Sequence, residues 1–283
     1  MPPRRVPTAR QRRLGAELRR MREQAGISIV NAGSELGTDR TRISNMEAGR
    51  FGVSEERIRT LAGIYACPDS VYIDALVAMA EDRTHGWWED SRKILPASLL
   101  DLAELEHHAK SLTVVSIEYI PGLLQTEDYA DTLFRLSVPE RPARDIQRFV
   151  SFRMRRKCIV EQEPPTPCSF VIHEAALRMQ YSDRETHRRQ LNRVNDFGDM
   201  DGVSVRVTPF NAGGFPGING SVTYAHGPVP QLDTVQVDAV HGSDFVYSET
   251  HLSNYRRLLQ RVIKSSLSPK ASRDLVQTIA REM

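Results

Sequence analysis

At 283 residues the chain is long enough for a substantial core and for two domains. Hydrophobic residues make up 40% and charged residues 26%, ordinary for a globular protein, and no apolar run approaches the ~18 residues of a membrane span. The net charge of +2 is unevenly placed. Residues 1–80 hold thirteen arginines, no lysine and nine acidic residues, a surplus of +4 that leaves the rest of the chain at −2. A surplus of this kind is expected where one module meets a polyanion, although a basic N-terminal arm is also a common solvated tail. The N-terminus lacks the apolar core of a signal peptide, and Cys67, Cys158 and Cys168 form neither a disulfide framework nor a zinc pattern. The cysteines read as small buried hydrophobes in a reducing cytoplasm.

Residues 1–8, with three prolines and two arginines, read as a flexible basic arm. From Ala9 to Ala25 the spacing of Leu14, Leu18, Met21 and Ala25 predicts a helix with one buried stripe, stopped by Gly26. Ser28 is placed to cap a short second helix ending near Leu36, with Gly37 as its C-terminal turn. Asp39 caps a third helix with Ile43 and Met46 inward, ended by Gly49. Ser54 opens a fourth with Ile58, Leu61 and Ile64 inward, and a fifth runs from about Asp69 to Ala80. These five helices predict a compact all-α domain over residues 9–82.

Beyond it, residues 83–283 predict a larger α+β domain with a mostly antiparallel sheet. Helices are expected at about 97–112, 127–136, 142–161, 183–197, 250–265 and 269–282. Strands are expected at 113–120, 169–173, 203–209, 221–225 and 234–240.

A helix-turn-helix needs a small residue where two helices touch, a tight turn, apolar anchors and an outward polar face on the second helix. Gly33 supplies the contact and Gly37 the turn, with Ala32, Leu36, Ile43 and Met46 as anchors. Arg40, Thr41, Arg42, Ser44 and Asn45 are then left near the exposed side of the third helix. The segment GISIVNAGSELGTDRTRISNMEAG, residues 26–49, resembles the Xre family of phage-repressor-like helix-turn-helix domains.

The resemblance implies that Arg40, Thr41 and Asn45 face base edges. The chemistry agrees: arginine can grip guanine O6 and N7, asparagine adenine N6 and N7, and the threonine methyl can meet thymine. Arg42 and Arg50 fall to the phosphates, together with Ser28 and Ile29 at the start of the second helix. Arg22 and Glu47 match a structural ion pair of the family. Ile29 is a departure, since the family usually has a phosphate-binding glutamine there. The resemblance further implies a homodimer on an inverted repeat of double-stranded DNA with half-sites one turn (~34 Å) apart.

In the second half, GWWED (86–90), EYIPGLLQTEDYA (118–130), VTPFNAGGFPGINGSVTY (207–224) and YRRLLQRVIKSSLSP (255–269) resemble a WhiJ-like family of actinobacterial Xre regulators. That family implies a regulatory domain of unknown function, a small acidic protein encoded nearby as partner, and antitoxin-like control of development or antibiotic production. A small-molecule effector is a further candidate partner. The alternative is an antitoxin-like module whose main task is to sequester a partner, with DNA binding secondary.

Two loops are candidate ligand or partner surfaces: Pro121, Gly122 and Gln125 at a strand-to-helix junction, and Gly213, Gly214 and Phe215 in the glycine-rich segment 211–220. The alternatives there are a structural turn and a long hairpin. Adjacent Trp87 and Trp88 suggest packing of one domain on the other or on a second subunit. Adjacent His107 and His108 lack a nearby ligand pattern, while His173–Glu174 and Asp238 with His241, near expected strands, could be imagined as catalytic pairs. No HExxH, GxSxG, Walker or GxGxxG motif accompanies them, so neither an enzyme nor a cofactor or metal site is expected.

Overall fold

The computed structural model describes residues 6–82, 84–137, 140–215, 220–239 and 242–283. The arm residues 1–5, the loop residues 216–219, Val240 and His241 lie outside the described residues.

Helix α1 (Ala9–Gln24) begins at Thr8, whose hydroxyl accepts from Gln11 N while Gln11 Oε1 accepts from Thr8 N. This reciprocal capping box satisfies two amides that the helix itself cannot. Side-chain oxygens of Ser28, Asp39, Ser54 and Asp69 open α2 (Ile29–Glu35), α3 (Arg40–Glu47), α4 (Glu55–Ile64) and α5 (Ser70–Glu81) in the same way. Leu18, Met21, Ile43, Met46, Ile58, Leu61 and Leu76 meet in one core. The crossing of α1 and α3 is tight because Gly15 has no side chain: a Cβ there would lie 2.4 Å from the Glu47 carbonyl oxygen.

The second unit starts with a 3-10 turn at Trp87–Ser91 and α6 (Ala97–His108). It continues through β1 (Ser111–Ser116), α7 (Glu127–Arg135), α8 (Ala143–Arg155), α9 (Cys158–Glu161), β2 (Cys168–His173), α10 (Glu174–Arg178), α11 (Arg184–Gly198) and β3 (Val203–Thr208). The strands β4 (Val222–His226), β5 (Thr234–Ala239) and β6 (Gly242–Val246) follow, then α12 (Glu249–Ser265) and α13 (Pro269–Glu282). The six strands form one sheet in the order β3-β2-β1-β4-β5-β6. The β1–β2 and β2–β3 pairs are parallel, whereas β1–β4, β4–β5 and β5–β6 are antiparallel, which gives the expected α+β unit with a mostly antiparallel sheet.

Three local differences from the sequence-based expectation have identifiable causes. The helix expected over 142–161 breaks between α8 and α9, where Arg156 turns inward to Glu106. The strand expected over 113–120 ends at Ser116, whose hydroxyl donates to Tyr119 O and closes a turn. β6 carries no strong alternation and exists through its pairing with β5, with Val246 opposite Val235 and Phe245 opposite Gln236.

Period-two alternation sends successive strand residues to opposite faces. Val114, Phe170, Ile172 and Val207 join the core on one face with α11 and α13, while Val115, Val171, Val222 and Val235 pack against α12 on the other. Trp88 is buried with Leu95, Leu100, Phe149 and Phe152, and Trp87 stacks near Phe152 at 4.9 Å. The tryptophan pair therefore packs inside the second unit, not across to the α1–α5 core.

The two units share a packed boundary. Val229 and Leu232, on the connection between β4 and β5, join the core of α1–α5. Arg13, buried on α1, donates to Gln231 O at 2.5 Å and Asp233 O at 3.3 Å, and its guanidinium lies 4.8 Å from the Tyr247 ring centre. Asp101 on α6 accepts from Ala9 N and Arg12 Nη2, both at 3.0 Å. No described helix is long and apolar enough to cross a membrane.

Candidate nucleic-acid interface

The turn between α2 and α3 follows from two glycines. Gly37 adopts φ +66°, and a Cβ on Gly33 would lie 2.9 Å from Thr38 O, so the chain folds back against α2. Thr38 N donates to Gly33 O at 2.8 Å and fixes the reversal. Asp39 Oδ1 then accepts from Arg42 N at 2.8 Å and starts α3.

Once started, α3 has one inward and one outward face. Ile43 and Met46 are 1% and 2% exposed, whereas Arg40, Thr41, Arg42 and Ser44 are exposed and Asn45 is half-buried. Arg40 and Arg42 have no carboxylate partner among the described residues, so both charges are available to an outside anion. Arg50, also exposed, reaches Asn45 Oδ1 at 3.5 Å, near the limit of a hydrogen bond. Eight residues make a helix about 12 Å long, comparable with the width of the DNA major groove.

Ser28 and Ile29 sit at the start of α2. Ser28 is exposed and its Oγ accepts from Asn31 N at 3.1 Å, which leaves its O–H free to donate, whereas the Ile29 side chain packs against the helical core. Arg22 and Glu47 lie behind α3. Arg22 forks onto the Glu47 carboxylate with Nε at 2.6 Å and donates with Nη1 to Ile27 O at 3.0 Å. The hydrogen bonds it donates to Glu47 hold the Arg22 guanidinium above its ordinary pKa, and burial pushes the neighbouring Tyr65 hydroxyl up to about 12.

The arginine surplus is less available than composition suggests. Arg12 and Arg13 bind the second unit, Arg20 and Arg13 both pair with buried Glu17, and Arg22 is committed to Glu47. Burial lowers the Arg13 pKa, with Glu17 opposing the effect. Sequence reasoning missed the boundary role of Arg13. The signal available was its position one turn before Glu17 on α1, which places a buried pair on one helix face.

The candidate ligand residues separate into two places. Pro121, Gly122 and Gln125 line a cavity of about 340 Å³ in the second unit, against Arg153 and Arg156. Gly213, Gly214 and Phe215 lie elsewhere, with the Phe215 ring 5.1 Å from that of His173. His173 Nδ1 accepts from Ala175 N, and Glu174 accepts from Phe210 N and Arg178 Nε, all of them helix- and loop-holding contacts. His107 and His108 pack their rings beside Trp88 at 5.0 and 6.2 Å. Asp238 accepts from Gln236 Nε2 at 2.7 Å, and its expected companion His241 lies outside the described residues.

Comparison with known families bears on both units. A model described as "Domain of unknown function (DUF5753)" matches residues 99–278, more than half of the chain. The chain belongs to the DUF5753 family. A second model, described as "Helix-turn-helix domain", matches residues 13–71 of this DUF5753 protein, from α1 into the first residues of α5. A helix-turn-helix domain is a DNA-binding module, and its presence supports a DNA-binding regulator. No curated protein and no solved structure matched the chain.

Proposed function

We propose that this DUF5753 protein is a sequence-specific transcriptional repressor that binds an inverted repeat as a homodimer. The observation that carries this reading is the outward face of α3, where Arg40 and Arg42, without a carboxylate partner among the described residues, flank Thr41 and lie beside Asn45 on a helix fixed from behind by Arg22 and Glu47. Arg40, Thr41 and Asn45 read base edges. Arg42, Arg50 and the backbone at Ser28 and Ile29 hold phosphates and set the register without reading sequence. A helix this short contacts few base pairs, so two copies on adjacent half-sites supply the specificity. The second unit governs DNA binding through a ligand or a small protein partner, in the manner of the WhiJ-like regulators that its motifs resemble. The packed boundary at Arg13 and Leu232 gives a route by which that unit orients α3.

Selection of bound sequences from random duplexes, followed by footprinting, tests the proposal. The expected result is a palindromic site with two protected half-sites one helical turn apart, and an affinity that falls steeply with salt as counterions are released. Binding without sequence preference, or a single half-site held by a monomer, overturns it.

A further inference from the structure

We infer that the cavity between the sheet and α8 is a binding site for a small monocarboxylate with an apolar, preferably aromatic, body. This deepens the regulatory reading, and the effect on DNA rests on that reading, while the binding itself does not.

The cavity is built around two guanidinium groups. Arg156, buried at 7% exposure, is neutralised by Glu106, to which it donates from Nε at 2.8 Å and from Nη2. Arg153, one turn earlier and partly buried, has no carboxylate within ion-pair distance among the described residues. Its Nη1 donates to the neutral Gln125 Oε1 at 2.7 Å, and its guanidinium sits 4.5 Å from the Phe134 ring centre. Arg153 Nε and Nη2 and Arg156 Nη1 have no acceptor among the described residues.

These donors converge on one spot. A Cβ added to Gly122 would lie 3.4 Å from Arg156 Nη1 and 3.8 Å from Arg153 Nε, so an acceptor beside Gly122 can reach both side chains. Gln125, 2% exposed, is itself pinned by Nε2 donating to Ile120 O at 2.7 Å, which keeps Arg153 aimed into the space. Burial, reinforced by the charge of Arg156, pushes the Arg153 pKa down to about 10. Asp238 and Glu106 oppose that shift, and the guanidinium stays charged at neutral pH with donors still to be met.

Charge and lining define the ligand class. Glu106 already pairs with Arg156, and Asp238 lines the same cavity beyond ion-pair distance of either arginine, acting on both by charge alone. Together the two carboxylates balance the two guanidiniums, so what the site offers is unfilled N–H donors; one carboxylate can take them, whereas a dianionic phosphate would set two charges against two carboxylates. Leu99, Leu133, Phe134 and the Tyr119–Tyr181 pair, with ring centres 5.0 Å apart, supply an apolar wall for the rest of the molecule. The sheet side is polar where a core would be apolar: Gln236 and Thr223 are buried at 2% and 6% exposure and line the same space. An apolar cavity of a few hundred Å³ with a few convergent polar groups is the usual form of a small-molecule site.

Calorimetric titration of the full chain with phenylacetate, and with phenylacetamide as the neutral isostere, tests this without DNA. Saturable binding of the acid is expected, with the amide at least about tenfold weaker. Arg153→Gln should weaken phenylacetate by at least about tenfold, and Gln125→Glu should do the same by supplying an internal carboxylate. Gly122→Ala places its methyl at ordinary contact distance from both guanidiniums and occupies the acceptor position, so it tests the site in a folded protein should the arginine variant fail to fold. Equal binding of acid and amide, unchanged binding by Arg153→Gln or Gly122→Ala, or no saturable binding of phenylacetate overturns the inference. Phenylacetate binding with no change in affinity for the selected operator would leave the site standing and sink the regulatory reading of the second unit.

Discussion

Arg22 near the end of α1 and Glu47 at the end of α3 meet through two parallel contacts, Nε to Oε1 at 2.6 Å and Nη2 to Oε2 at 3.0 Å. Both side chains are about nine-tenths buried, so the pair is shielded from water and salt. It ties the helix that carries the base-reading side chains to the first helix of the unit. Replacing Arg22 with alanine leaves a buried carboxylate and an unmet Ile27 carbonyl, a loss of about 3 kcal/mol. Thermal unfolding of Arg22→Ala should show a clearly lowered transition for the helical unit. A melting curve superimposable on the parent would remove the pair as a structural element.

The division of labour on α3 separates by specificity. Arg40→Ala and Asn45→Ala should each weaken binding to the selected operator by about 1–3 kcal/mol and leave binding to random duplex almost unchanged. Arg42→Ala should weaken both equally and reduce the salt dependence by about one counterion. Fluorescence anisotropy on both duplexes over a salt series checks this, and equal losses on random DNA for Arg40 or Asn45 would reassign those residues to phosphate.

Arg13 reports on the boundary between the units. Its removal leaves Glu17 short of one partner and the Gln231 and Asp233 carbonyls without their donor. Arg13→Ala should cost about 3 kcal/mol and raise amide exchange along 228–233 and the first turns of α1, while the sheet core stays protected. Hydrogen exchange read by mass spectrometry decides it; unchanged protection at 228–233 would mean that the units are held by Val229 and Leu232 without Arg13.

His108 makes that boundary pH-sensitive. Burial, with the charge of Arg10 adding, pushes its pKa down to about 4 against the opposing pull of Asp82, 3.4 Å away. Between about pH 6.5 and pH 4 the unfolded chain binds a proton here that the folded chain does not, so stability rises with pH across this window. The contribution is complete above pH 6.5 and lost as pH falls toward 4, about 2 kcal/mol in all after solvent screening. Denaturant unfolding at a series of pH values should show His108→Gln with a shallower loss over that window; parallel curves for the two proteins would contradict it.

What was legible in the sequence follows from the range of the forces involved. Ser28, Asp39, Ser54 and Asp69 mark helix starts because a cap acts on amides two or three residues away. Gly37 marks the turn because a positive φ is a property of one residue. The alternation in β1, β2 and β4 is local in the same sense, and it sufficed for the α+β class. By contrast, β6 depends on β5 for every ladder bond, and the break between α8 and α9 depends on Glu106, fifty residues earlier.

The arginines show the limit most clearly. By itself the sequence determined that positive charge gathers in the first eighty residues and that α3 presents Arg40, Thr41 and Asn45 on one face, since helical periodicity and side-chain chemistry need no distant partner. Only the tertiary structure decided which charges remain free. Burial and pairing across the chain turned Arg13 into an internal tie, left Arg40 and Arg42 without a carboxylate partner among the described residues, and set Arg153 in a cavity where neither lining carboxylate is within ion-pair distance of it. A guanidinium is the same group in all these places; its surroundings, assembled from residues far apart in the chain, fix what it can bind.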